Sequence, residues 1–183
     1  MPRRSLLFFS IFLFLIVFSV PQNSMPRLDR GTYLILASYT DPINNITVTI
    51  NLTRSINNIF FLKATFNPPS EYHLYSKDLP LSGVNGQGRP TLLELPPNSR
   101  MQSIGKVTES VASNMVGYEP DGPLVYPDGP VTLSLPIKLP YINGWVSDQI
   151  RLTYTACTAL SCKIPTIGKL IPVRIPGIFS LTP

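Results

Sequence analysis

The chain has 183 residues, 44% of them hydrophobic and 14% charged, with 20 prolines, 11 glycines and a formal net charge of +5. That length supports one domain with a substantial core, and the proline density points to many short strands broken by turns and edges. The positive excess is modest and scattered, without basic runs interleaved with aromatics, which argues against a nucleic-acid partner.

The chain opens on Met1, Pro2, Arg3, Arg4 and Ser5, followed by an apolar run from Leu6 to Phe18. A short basic start before about 7–15 apolar residues is the pattern of a secretory signal, and the run is short against the roughly 20 residues of a spanning helix. Residues 19–24 offer no clean small-x-small cleavage site, so residues 1–24 read as a signal peptide or an uncleaved anchor. Membrane contact is expected through this segment alone. The folded part, residues 25–183, is then expected outside the cytoplasm, periplasmic or otherwise extracytoplasmic, where disulfides form and persist.

Residues 33–37 make a first strand candidate. The clearest strand comes next, with Ile46, Val48, Ile50 and Leu52 on one face and Thr47, Thr49, Asn51 and Thr53 on the other. Residues 59–66 are apolar on both faces, as in a central strand. Asn67, Pro68 and Pro69 break the chain, and residues 72–75 resume it. Residues 77–90 hold Gly83, Gly86 and Gly88 and form the longest turn-rich stretch, of the length that in a compact domain is functional or disordered. Residues 91–95 are a short strand. Between 98 and 118 the pattern is weak: Ile104, Val107, Val111 and Met115 could share a helical face, and a loop fits as well. A second turn-rich stretch covers 117–128. Val131, Leu133, Leu135 and Ile137 alternate cleanly, and residues 171–175 form a last strand whose Pro172 marks an edge. About eight short strands and no secure helix predict an all-β, immunoglobulin-like sandwich, with an eight-stranded barrel as the alternative.

The only two cysteines, Cys157 and Cys162, lie at the end of an alternating run in which Ile150, Leu152 and Tyr154 face one way and Arg151, Thr153 and Thr155 the other. That run reads as a half-buried strand that turns back at the pair, with Pro165 closing the segment. Two such cysteines can serve as a structural disulfide, a redox-active dithiol or half of a metal site. Metal is the weakest option, because a zinc site wants four ligands and His73 is the one histidine; no metal and no other cofactor is expected. Closing so short a ring stabilises by about 2 kcal/mol in the loop-entropy model, and a small-loop disulfide is readily strained and reduced. Both points lean towards a working dithiol. From Gln149 onward there is no acidic residue, while Arg151, Lys163, Lys169 and Arg174 are basic. A positive neighbourhood favours thiolate, most directly for Cys162 beside Lys163.

The stretch Tyr154-Thr155-Ala156-Cys157-Thr158-Ala159-Leu160-Ser161-Cys162-Lys163-Ile164-Pro165 resembles the signature of the N-terminal domain of the thiol:disulfide interchange protein DsbD family: a tyrosine, a small residue, the cysteine pair and a proline close behind. Upstream, Tyr72 to Ser76, the Gly-rich loop with Gly88, Arg89, Pro90 and Thr91, and Asp128 to Leu133 are similar to the family's strands and loop, so the likeness runs from about Ile46 to Ile175. It implies an immunoglobulin-like domain outside the inner membrane. Its two cysteines, here Cys157 and Cys162, accept reducing equivalents from a membrane-embedded reductant and pass them to thioredoxin-fold or other substrate proteins. It also implies a loop capping the pair, drawn from residues 77–90 or 118–126, with Tyr75 and Tyr118 as its aromatic candidates; ordinary packing is the plainer role for both. Tyr154 is expected as a core anchor beside the pair. Full-length relatives continue into membrane helices and a thioredoxin-like domain, so this chain is expected to need a separate membrane partner.

The resulting expectation is an extracytoplasmic thiol–disulfide exchange domain working through Cys157 and Cys162. The alternative is a secreted structural or protein-binding module whose bridge is permanent. Asn45-Ile46-Thr47 and Asn51-Leu52-Thr53 match glycosylation sequons, which have meaning only outside a bacterial source.

Overall fold

The computed structural model describes residues 28–29, 31–84, 86, 88–115 and 123–181; the expected signal or anchor segment and Tyr118 lie outside them. In chain order the strands are β1 (Tyr33–Thr40), β2 (Thr47–Arg54), β3 (Phe60–Asn67), β4 (His73–Leu74), β5 (Leu92–Glu94), β6 (Gln102–Ser103), β7 (Thr108–Glu109), β8 (Asn114–Met115), β9 (Leu124–Val125), β10 (Val131–Lys138), β11 (Trp145–Tyr154), β12 (Ala156–Cys157) and β13 (Thr166–Pro176). A 3-10 turn at Ile178–Ser180 comes after them. Among the described residues no helix is long and apolar enough to cross a membrane.

The larger sheet runs β1-β2-β3-β10-β6, with β7 also on β10, and the second runs β13-β11-β5. All pairings in both are antiparallel. The protein is an immunoglobulin-like β-sandwich; its strands lie in separate sheets, not in one closed ring. Strand alternation produces the core. Val48, Ile50 and Leu52 of β2, Leu62, Ala64 and Phe66 of β3, and Val131, Leu133 and Ile137 of β10 point inward against Ile150, Leu152 and Tyr154 of β11 and Ile171, Val173 and Ile175 of β13. Each buried Val, Leu, Ile or Phe among them contributes about 1.5–3 kcal/mol by leaving water. Phe66 and Tyr154 meet edge to face between the sheets, 5.7 Å apart.

Two expectations are corrected. Of the two readings of 98–118, the helical face of Ile104, Val107, Val111 and Met115 does not form: as far as Met115 the stretch is loop-like, with Ile104, Val107 and Val111 outside any strand, and is interrupted by β6, β7 and β8, short pieces laid along β10 or against β9. Helical spacing of four apolar residues does not outweigh sheet hydrogen bonds on offer from a neighbour. The last strand also begins at Thr166, ahead of residue 171, because Gly168 at φ 65° lets it bulge and keep pairing with β11. Pro172 does stand on an edge strand. Pro136 lies inside β10, where Ile104 donates to its carbonyl at 3.0 Å. Its ring nitrogen therefore faces the interrupted β6–β7 side, and the β3 ladder loses no donor. Of the two sequons, Asn45 occupies the turn before β2 at φ 54° and Asn51 lies within β2.

Candidate functional site

The site starts with the bulge. β11 and β13 stay in register to Leu152–Lys169, then resume at Tyr154–Thr166, so one strand carries an extra residue there. Thr153 Oγ1 accepts from the Gly168 N–H at 3.0 Å within this irregularity. Bulges bend a strand and re-aim the side chains past the bend. Beyond it the chain leaves β11 and forms a separate small ladder, with Ala156 opposite Leu74 and Cys157 opposite His73. From Thr153 to Cys157 every side chain is buried, so the expected outward face of Thr153 and Thr155 is covered as well.

The chain then turns tightly. Lys163 N–H donates to Ala156 O at 2.9 Å and Thr158 N–H to Ser161 O at 2.8 Å, closing a hairpin around residues 158–161. Thr158 Oγ1 accepts from the backbone N–H of Leu160 and of Ser161, a hydroxyl-stabilised turn. Cys157 and Cys162 face one another across the hairpin and are joined as a disulfide, Cα to Cα 4.0 Å. The two halves of the bridge differ. Cys157 is 1% exposed, whereas Cys162 is exposed. Leu160, at the tip, is 97% exposed.

A cleft of about 500 Å³ opens beside Cys162, bounded by His73 and Tyr75, by Gly86, Gly88 and Arg89, and by the hairpin itself. Tyr75 is the residue on which three segments converge: it bridges Pro90 on one side and Val125 on the other, and Thr91 donates to its carbonyl through both N–H and Oγ1. Its hydroxyl lies 3.8 Å from Cys162 Sγ, and burial pushes its pKa up, so it remains an O–H donor. His73 meets the Tyr75 ring edge to face at 6.0 Å. Gly88, at φ 72°, packs so closely on the ring that an added Cβ would lie 2.8 Å from it. Arg89 Nη1 donates to the carbonyls of Ser82, Gly86 and Gly88 and ties the loop into shape. Lys163 directs its ammonium over the Tyr72 ring, 5.1 Å from the centroid.

Tyr154 stands in the core, and its hydroxyl donates to Asp41 Oδ2 at 2.8 Å. Asp41 also accepts from Thr166 Oγ1, Asn44 Nδ2 and the backbone N–H of Ile43 and Asn44. Burial pushes its pKa upward, but the bonds from Thr166, Asn44, Ile43 and Tyr154 outweigh this and hold the carboxyl well below the usual range. Burial first, and then Asp41, pushes the Tyr154 hydroxyl up. A second buried tyrosine, Tyr126, accepts from Lys77 N–H and donates to Glu109 at 2.7 Å, anchoring the start of the 77–90 loop. Among the described residues no group of three or more His, Cys, Asp and Glu could hold a metal ion.

No family model and no curated protein matches the chain. Among solved structures it is similar to the N-terminal domain of DsbD from Neisseria meningitidis in the reduced form. The identity is 16%, the match covers 63% of this chain and 76% of that one, and the TM-score is 0.41.

Asp41 did not emerge from sequence reasoning as part of this region, and Gly88, Arg89 and Tyr126 did so only as members of the two candidate capping stretches. For Gly88 a signal was present, a glycine beside an arginine in the longest turn-rich stretch. Asp41 lies 113 residues from its Tyr154 partner, and no local pattern encodes that contact.

Proposed function

We propose that the protein is an extracytoplasmic thiol–disulfide exchange domain in which Cys157 and Cys162 form the redox pair. The observation that carries this reading is the asymmetry of the bridge: Cys157 is buried, while Cys162 is exposed beside a cleft. Exchange requires in-line approach to one sulfur and a second sulfur that leaves. A partner thiolate attacks Cys162 Sγ, the Sγ–Sγ bond breaks, and Cys157 departs as thiolate. The partner's second thiolate then attacks its own sulfur in the mixed disulfide and releases Cys162. Two electrons have passed from the partner dithiol to the pair, and the reverse sequence passes them to a substrate disulfide. Tyr75 supplies an O–H that can stabilise negative charge on Cys162.

The resemblance of the Tyr154-to-Pro165 motif to the DsbD family supports the same reading. So does the redundancy of the bridge as a staple, since it spans a hairpin already closed by backbone hydrogen bonds. In this role the upstream partner is a membrane-embedded dithiol and the downstream ones are thioredoxin-fold or other substrate proteins, encountered in the periplasm or an equivalent compartment. The test is the reduction potential of the pair in the full chain, by equilibration against glutathione or dithiothreitol buffers with thiol trapping. A value within about −120 to −270 mV is expected; a bond still intact below about −300 mV would make the bridge permanent and the domain a structural or binding module.

A further inference from the structure

We infer that the cleft beside Cys162 is built for a protein partner whose reactive cysteine is flanked by carboxylates; this rests on the exchange reading above. Two cations, Arg89 and Lys163, line the cleft, and none of its described lining residues is Asp or Glu. Of the described cations, Arg151 is paired with Glu94, and Lys77 with Asp78 and Glu109. Arg89 instead bonds three backbone carbonyls, and Lys163 rests on an aromatic face. Both positive charges are thus held in place and have no carboxylate partner among the described residues, so a binding partner does not have to order them. Charges of one sign in a concave, low-dielectric wall focus the field and draw in the opposite sign.

Leu160, in the lining, and Ile164, next to Lys163 in the chain, are exposed and offer apolar contact to a protein surface, which a small anionic thiol would not use.

The experiment tracks mixed-disulfide formation on the oxidised full chain by mass spectrometry. Three synthetic peptides of equal length carry one cysteine flanked by Glu, Gln or Lys, and each rate is normalised to the same peptide's reaction with an uncharged small disulfide. The Glu peptide is expected to react about tenfold faster than the Lys peptide at low ionic strength, with the preference collapsing in high salt and shrinking in Lys163→Gln. Equal normalised rates, or a faster Lys peptide, would overturn the inference while leaving exchange intact. A bridge opened by neither dithiothreitol nor any peptide would overturn the exchange reading and this inference with it.

Discussion

Asp41 concentrates more of the stability of this region than its size suggests. Its carboxylate gathers five hydrogen bonds from the turn after β1, from β11 and from β13, so it ties both sheets together just ahead of the cysteine hairpin. Asp41→Asn replaces one acceptor oxygen by a donor that faces other donors, and is expected to cost about 3 kcal/mol in urea unfolding at pH 7. The acid response carries the same information. The folded carboxyl titrates below its unfolded value, so its stabilisation is complete above about pH 4 and is lost as pH falls below that. Unfolding at pH 7 and pH 3 should show a larger acid loss in the native chain than in Asp41→Asn.

At the scale of elements, the 77–90 loop and the hairpin form two walls of one cleft, with Tyr75 between them. Gly88 carries a left-handed backbone and leaves no room for a side chain over that ring. Gly88→Ala adds conformational strain of about 1–3 kcal/mol and a direct overlap, which shift the loop away from Tyr75 and Cys162. Reduction of the bridge by dithiothreitol, read by thiol trapping, is expected to accelerate roughly tenfold, one order per 1.4 kcal/mol of opening. A rate equal to that of the native chain would show that the loop does not restrict access to Cys162.

For the whole molecule, the core does not depend on the bridge. The two sheets bury a continuous apolar cluster from Leu28 to Leu181, while the disulfide spans a separation of only 5 residues. A Cys157→Ala/Cys162→Ala chain should therefore unfold in a single calorimetric transition. Its Tm should be lower by roughly 4–8 °C, the equivalent of about 2 kcal/mol in a domain of this size. A chain already unfolded at room temperature would mean that the bridge is a structural necessity.

The sequence by itself determined the all-β class and left sandwich and barrel open, because period-two alternation in β2, β10 and β11 has one physical meaning wherever one face is buried but does not say how the sheets close. It also singled out the cysteine pair, since two sulfurs at short spacing at the end of such a strand constrain their own geometry. It left the region around 104–115 open between helix and loop, because apolar residues are sparse there and the short strands form only where β10 and β9 offer hydrogen bonds. Tertiary structure alone decided the rest: the bulge that buries Thr153 and Thr155, the burial of Cys157 against the exposure of Cys162, the ammonium of Lys163 over Tyr72, and the union of Asp41 with Tyr154. Each of these depends on contacts between segments far apart in the chain, and local spacing carries no record of which distant backbone will arrive to cover a given side chain.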